Sequence, residues 1–415
     1  MKKDYDFIIN TLFRTTNSYS SVSLSFAKEL AKTNRVFYVN HPYSYKDIWS
    51  GRKEESVKKN LGNYLTHKTT VEYLNEIPEN FIAYTPPATI PINQFSAGKL
   101  YDRLHKKNQK IVLNTIQKII KENNLKGFIY LTCFDPFFLP VLPKNLGAAY
   151  SVYQCIDDIS TEPYVAKHGV RLEEQAARDS DFTIVTSTKL WRHFKEIQTE
   201  TYILHNAVDI SIFKDCARKH YERPEEIKNV TNKIIGFVGN LDPVRIDYPL
   251  LKSIATAHPD KTLLLIGPIN SPEISNIGLD TLPNVILTGG KKIYDIPQYL
   301  KFMDVAILPS LLNKMSLSVY PLKINEYLAA GKSIIATNFS EDIRSFSNLI
   351  RIADSHTHFN ELINEAINDY SEEKIAERER VANTNTWGDR VRQFWEILNI
   401  HEDKILDKHI RSFEL

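Results

Sequence analysis

Five short, mainly apolar runs recur through the second half of this chain: Ile234–Val238, Thr262–Ile266, Val285–Leu287, Val305–Leu308 and Ser333–Ala336. Runs without polar alternation predict strands covered on both faces, the pattern of a parallel sheet with helices on either side. The first half opens in the same way. Asp6–Thr11 predicts a strand, Arg14–Ser21 a polar loop, Ser25–Ala31 an amphipathic helix, and Arg35–Asn40 the next strand. Gly127–Thr132, Ala148–Gln154, Asp181–Ser187 and Tyr202–Leu204 continue the alternation. Residues 45–127 are polar and basic, with strand signal only in FIAYTPP at 81–87, and predict helices joined by long loops. The expectation is an α/β chain of two doubly wound, Rossmann-like domains.

A length of 415 residues favours two cores over one. The charged, proline-containing stretch Ile210–Thr231 reads as the linker, placing the domains at 1–209 and 210–390 with a helical segment at 391–415. Trp387, Phe394 and Trp395 are expected to anchor that last segment by burying aromatic area. A composition of 42% apolar and 25% charged residues excludes disorder. Cys133, Cys155 and Cys216 show no CxxC or Cys/His spacing, so neither disulfides nor zinc are expected and a reducing cytoplasm fits. MKKDYDFIINTLF places Asp4 and Asp6 where a signal peptide would be apolar, and Phe128–Pro143 is interrupted by Asp135, so neither a leader nor a spanning helix is expected. Residues 1–130 hold 20 Lys and Arg against 11 Asp and Glu, a balance of +9 within a chain of net charge +2. A basic half is usually just solvated, yet it also suits contact with an anionic membrane at the inner face of the cell. Nucleic acid is not expected as a partner.

The segment Met303–Thr337 carries the clearest chemistry. Val305–Leu308 ends at Pro309; Pro321 opens a helix with Leu322, Tyr327 and Leu328 on its buried side; and Gly331 closes it in the left-handed conformation. Ligands of such sheets bind beyond the carboxyl ends of the strands, here the loop from Pro309 to Tyr320. The helix directs its N-terminal amides at that loop, a seat for phosphate. Lys323 and Glu326 share one helical face, offering a cation for a pyrophosphate and an acceptor for ribose hydroxyls. An ordinary amphipathic helix with a solvated charged face explains the same residues, and the segment alone leaves both readings open.

Segment 303–337 resembles the donor-binding segment of retaining GT-B glycosyltransferases (group 1, family 4-like), and within them the bacterial branch of teichuronic-acid biosynthesis. The resemblance implies a GT-B architecture, with two Rossmann-like domains facing a cleft and a C-terminal helix crossing back to the first. It also implies transfer, with retention, from a nucleotide-diphosphate-sugar to a saccharide or lipid-linked saccharide acceptor, without a separate cofactor. In that superfamily two glutamates are separated by seven intervening residues, the second on the ribose. Glu326 matches the second, and Ser318 stands at the first, leaving Ser316, Ser318 or Lys314 to meet the donor sugar. A noncatalytic scaffold of the same fold and a UDP-sugar epimerase are the rival readings.

Gly236–Arg245, GFVGNLDPVR, follows a strand directly. Gly239 and Asn240 allow close backbone approach by a ligand, and Arg245 suits a diphosphate unless it pairs with Asp242 or Asp247. The spacing is not GxGxxG, which disfavours a nicotinamide or flavin cofactor. Asp157 and Asp158 end a first-half strand, where one suits orienting or deprotonating an acceptor hydroxyl and one suits capping the next turn. They lack the DxD spacing of a metal site, and no essential metal is expected. Arg14, in the loop after the first strand, is the acceptor-side candidate by resemblance. Glu173, Glu174 and Arg178 read as a solvated helix face, and His41, His168 and the other histidines lack metal-ligand spacing.

Overall fold

The apolar runs form strands in the computed structural model, which describes residues 5–16, 21–74 and 78–413. Residues 17–20 of the expected polar loop lie outside the described residues, as does Asp4. Two compact units emerge, one built from the chain up to His205 and from Arg390 onward, the other from Asn206–Asp389.

In the first unit the strands are β1 (Phe7–Thr11), β2 (Val36–Val39), β3 (Thr70–Glu72), β4 (Phe81–Thr85), β5 (Phe128–Cys133), β6 (Ala148–Cys155), β7 (Phe182–Val185) and β8 (Thr201–Ile203). They make one sheet in the order β3-β4-β2-β1-β5-β6-β7-β8, parallel except where β3 runs against β4. Every residue of β1, β2, β5 and β7 is buried, as covering on both faces demands. The stretch 45–127 supplies β3, β4 and the helices Tyr45–Ser50, Glu55–Leu65 and Lys99–Glu122. Val112, Ile116 and Ile119 recur on one face of the last of these and pack with Ile8, Phe37, Phe128 and Tyr130. The chain returns to this unit at Arg390, within the helix Trp387–Phe413. Its Phe394 is fully buried against the rings of Phe7, Phe26 and Phe182.

The second unit holds β9 (Ile234–Val238), β10 (Thr262–Ile266), β11 (Val285–Leu287), β12 (Val305–Leu308), β13 (Ser333–Thr337) and β14 (Arg351–Ala353). All pairs are parallel in the order β11-β10-β9-β12-β13-β14. The edge strand β14 is an addition to the five strands expected, too short and too charged to announce itself. Gly236 sits inside β9 rather than in the loop beyond it: a Cβ there would lie 2.1 Å from Met303 Sδ, so the glycine makes room for the core. Among the described residues no helix is long and apolar enough to cross a membrane.

Candidate functional site

Strands β9 and β12 are neighbours, and β10 and β13 lie on their opposite sides, so the sheet order reverses between them. A crevice opens at the carboxyl ends of strands at such a point. Here the two loops that border it are tied together. Asp247 N–H donates to Pro309 O at 2.8 Å, Leu311 N–H to Arg245 O at 2.9 Å, and Asn313 Nδ2 to Val244 O at 2.7 Å. Ile246 and Ser310 form an antiparallel bridge.

The helix Leu322–Ala329 follows the second loop, with Gly331 at φ +71° after its end and Lys332 N–H bonded to Tyr327 O at 2.9 Å. Ile324, Tyr327 and Leu328 are fully buried, whereas Leu322 is only half-buried. Tyr327 Oη accepts from Val238 N–H at 2.9 Å, fastening the helix to the end of β9. Burial pushes this phenol well up from its ordinary range, so it stays a neutral hydroxyl. Lys323 Nζ donates to Glu326 Oε2 at 2.7 Å, with the lysine side chain 32% and the glutamate side chain 11% exposed.

The glycine turn after β9 is closely packed. Gly239 N–H donates to Ile266 O at 2.9 Å, and a Cβ on Gly267, whose φ is +158°, would fall 1.7 Å from Gly239 O. Asn240 and Arg245 are exposed. Arg245 pairs with neither aspartate considered for it: Asp242 Oδ1 accepts from Val244 N–H, while Asp247 caps the helix Tyr248–Ala257 and meets His356 Nε2 at 2.8 Å. Among the described residues the Arg245 guanidinium makes no hydrogen bond or ion pair. Ser318 is buried and donates to Lys314 O at 3.2 Å, and Ser316 is locked into reciprocal bonds with Asn313. The second unit thus brings Gly239, Asn240, Arg245, Ser318, Lys323 and Glu326 onto the two tied loops and the helix beyond them.

Asp157, Asp158 and Arg14 lie in the first unit, at the carboxyl ends of β6 and β1. Asp158 Oδ1 accepts from both the backbone N–H and the hydroxyl of Ser160, capping a short 3-10 turn. Asp157 is half-buried beside it. Arg14 Nε and Nη2 donate to His41 O and Pro42 O at 2.8 and 3.0 Å, and its guanidinium lies 3.8 Å over the Tyr43 ring. One residue departs from the sequence expectations and one pairing was not anticipated. Glu173 is buried rather than solvated: it accepts from Tyr153 Oη at 2.8 Å, and burial raises its carboxyl to about 8, outweighing the bonds from Tyr153 and Cys155. Glu174 keeps to the exposed face with Arg178. His41, noted only for lacking metal-ligand spacing, meets the fully buried Asp135 through Nδ1 at 2.8 Å. Each follows a strand's carboxyl end by two residues, a signal visible in RVFYVNH and GFIYLTCFD. Among the described residues no group of three or more His, Cys, Asp or Glu side chains is placed to hold a metal ion.

Residues 232–369 match the family described as Glycosyl transferases group 1. A stretch of 140 residues is 31% identical to the teichuronic acid biosynthesis glycosyltransferase TuaH of Bacillus subtilis (strain 168) and covers 34% of each chain. The chain therefore matches about a third of that relative's length. Similar solved structures include Alr3699/HepE from Anabaena in complex with UDP, at TM-score 0.60 and 15% identity, covering 95% of this chain and 99% of that one. Sucrose-phosphate synthase from Thermosynechococcus elongatus gives TM-score 0.62 at 12% identity, covering 99% and 100%. The α,α-trehalose 6-phosphate synthase from Burkholderia multivorans gives 0.64 at 8%, covering 97% and 100%. Residues 232–369 are thus a glycosyl transferases group 1 domain, in a chain whose two parallel-sheet units carry the fold of the GT-B glycosyltransferases.

Proposed function

We propose that this protein transfers a sugar, with retention at the anomeric carbon, from a nucleotide-diphosphate-sugar to a saccharide or lipid-linked saccharide acceptor in cell-surface polysaccharide synthesis. The observation that carries the reading is the Lys323–Glu326 pair on the helix beyond β12, with the unpaired Arg245 on the loop tied to the one before that helix. A carboxylate suits two ribose hydroxyls, while two cations and helix amides suit the charge that builds on a departing diphosphate. The TuaH match and the UDP in the HepE complex support the same chemistry. Glu326 would hold the ribose, Arg245 and Lys323 the diphosphate, and Gly239 and Asn240 the backbone approach to it. Ser318 would stand near the donor sugar, Asp157 would orient an acceptor hydroxyl, and Arg14 would shape the acceptor loop. No cofactor or metal beyond the donor is called for, and the basic stretch 1–130 suits work at the cytoplasmic face of an anionic membrane.

Thermal melts across a panel of UDP-, GDP- and dTDP-sugars test the reading, because a ligand of the native state raises the midpoint. Stabilisation by one donor class, followed by its consumption with a saccharide acceptor, is the expected result. Binding without consumption would favour a scaffold, and a rearranged donor without transfer would favour an epimerase.

A further inference from the structure

The carboxyl edge of the first unit's sheet holds a histidine built to accept a proton or a hydrogen bond. His41 follows β2 and Asp135 follows β5, with β1 between those strands. Asp135 is fully buried; its Oδ2 lies 2.8 Å from His41 Nδ1, and its Oδ1 accepts from Phe137 N–H at 3.1 Å. A carboxylate only accepts, so the bond places the imidazole proton on Nδ1 and the lone pair on Nε2. The ring is fixed further by Phe138, edge-on at 5.0 Å, and its backbone by Arg14. The His41 side chain is 22% exposed, and Nε2 has no hydrogen-bond partner among the described residues. The neighbouring histidines differ in this respect: His105 and His168 both engage Nε2, on Phe137 O and Phe95 O. His41 is instead oriented on one side by a buried carboxylate and left open on the other.

Resting on the glycosyl-transfer reading, we propose that His41 Nε2 accepts the hydrogen bond of a hydroxyl on the acceptor saccharide, with Asp135 as the residue that positions it. The charged and titratable groups around the pair are Arg14 from the loop after β1, Asp47 at 3.7 Å from that arginine, and His105, Tyr130, Cys133 and Tyr153, all of which Asp135 also influences.

The test uses the full chain with the donor identified by thermal stabilisation and, as acceptors, water, glucose, galactose, N-acetylglucosamine and glucuronic acid. His41→Phe keeps an aromatic ring against Phe138 and removes the acceptor nitrogen. It is expected to lower kcat/KM for the acceptor by about tenfold and leave donor affinity within about twofold. Asp135→Asn lets an amide donate to Nδ1, moving the proton to Nε2. Imidazole nitrogen NMR should show the switched tautomer together with a similar loss. Wild-type kcat/KM for the acceptor in His41→Phe would overturn the assignment while transfer itself stands. Should that variant fail to fold, His41 resonances in the wild type that do not move at saturating acceptor would overturn it equally. Wild-type protein that consumes no donor would overturn the transferase reading, and this inference with it.

Discussion

Lys323 Nζ stands 2.7 Å from Glu326 Oε2, one helical turn apart on the helix Leu322–Ala329. The pair orients the carboxylate before any ligand arrives, so its removal should be felt in binding more than in folding. We predict that Glu326→Ala weakens affinity for the donor by about 1.5–3 kcal/mol, the worth of a charge-assisted hydrogen bond. Calorimetric titration of the folded variant checks it, and unchanged affinity would remove Glu326 from the site.

Arg245 is exposed and makes no side-chain bond among the described residues, so Arg245→Ala should leave stability within about 0.5 kcal/mol of wild type. Transfer should fall nonetheless. If Arg245 and Lys323 both touch one diphosphate, the double substitution should lose less or more than the sum of the singles. Wild-type turnover in Arg245→Ala would assign the diphosphate to other groups.

The adjacent aspartates should separate. Asp158 caps a turn through Ser160, so Asp158→Ala should cost about 1 kcal/mol in denaturant melts. Asp157→Asn should instead lower turnover with donor affinity and melting midpoint preserved. Equal losses of stability and activity in both variants would leave Asp157 a structural role alone.

Glu173 gives the fold a pH dependence. Its carboxyl is raised from 4.5 to about 8 in the folded chain by burial, so folding takes up a proton between those values. The stability this group contributes is whole below its ordinary range and lost as pH rises through about 8. Glu173→Gln preserves an acceptor for Tyr153 Oη and has no proton to lose. Its melting midpoint should fall less than that of wild type between pH 5 and 8 and overtake it at the alkaline end, in a series of melts differing only in buffer. Parallel curves would show that the carboxyl is ionised throughout.

Much of the fold was legible before any coordinates, because strands such as Val305–Leu308 are buried on both faces and announce this as unbroken apolar runs. The short edges were not: Thr70–Glu72 and Arg351–Ala353 carry charge at the sheet margin, where burial asks little of them. Glu173 was misread because charge was equated with exposure, although its helix turns it toward Tyr153. Gly239 through Glu326 were nameable from local motif. His41 and Asp135 were not paired, since 94 residues separate them and only the parallel register of β2, β1 and β5 unites their ends.

The bond from Val238 N–H to Tyr327 Oη, with the Ile246–Ser310 bridge, leaves the glycine turn, the second loop and the helix little independent freedom. Segments already ordered have no conformational entropy left to surrender when a ligand settles among them. On the proposed function, nucleotide capture by such a seat would resemble a key entering a finished lock, and a methyl added at Tyr327's end of that bond would be expected to loosen the tumblers without touching the key.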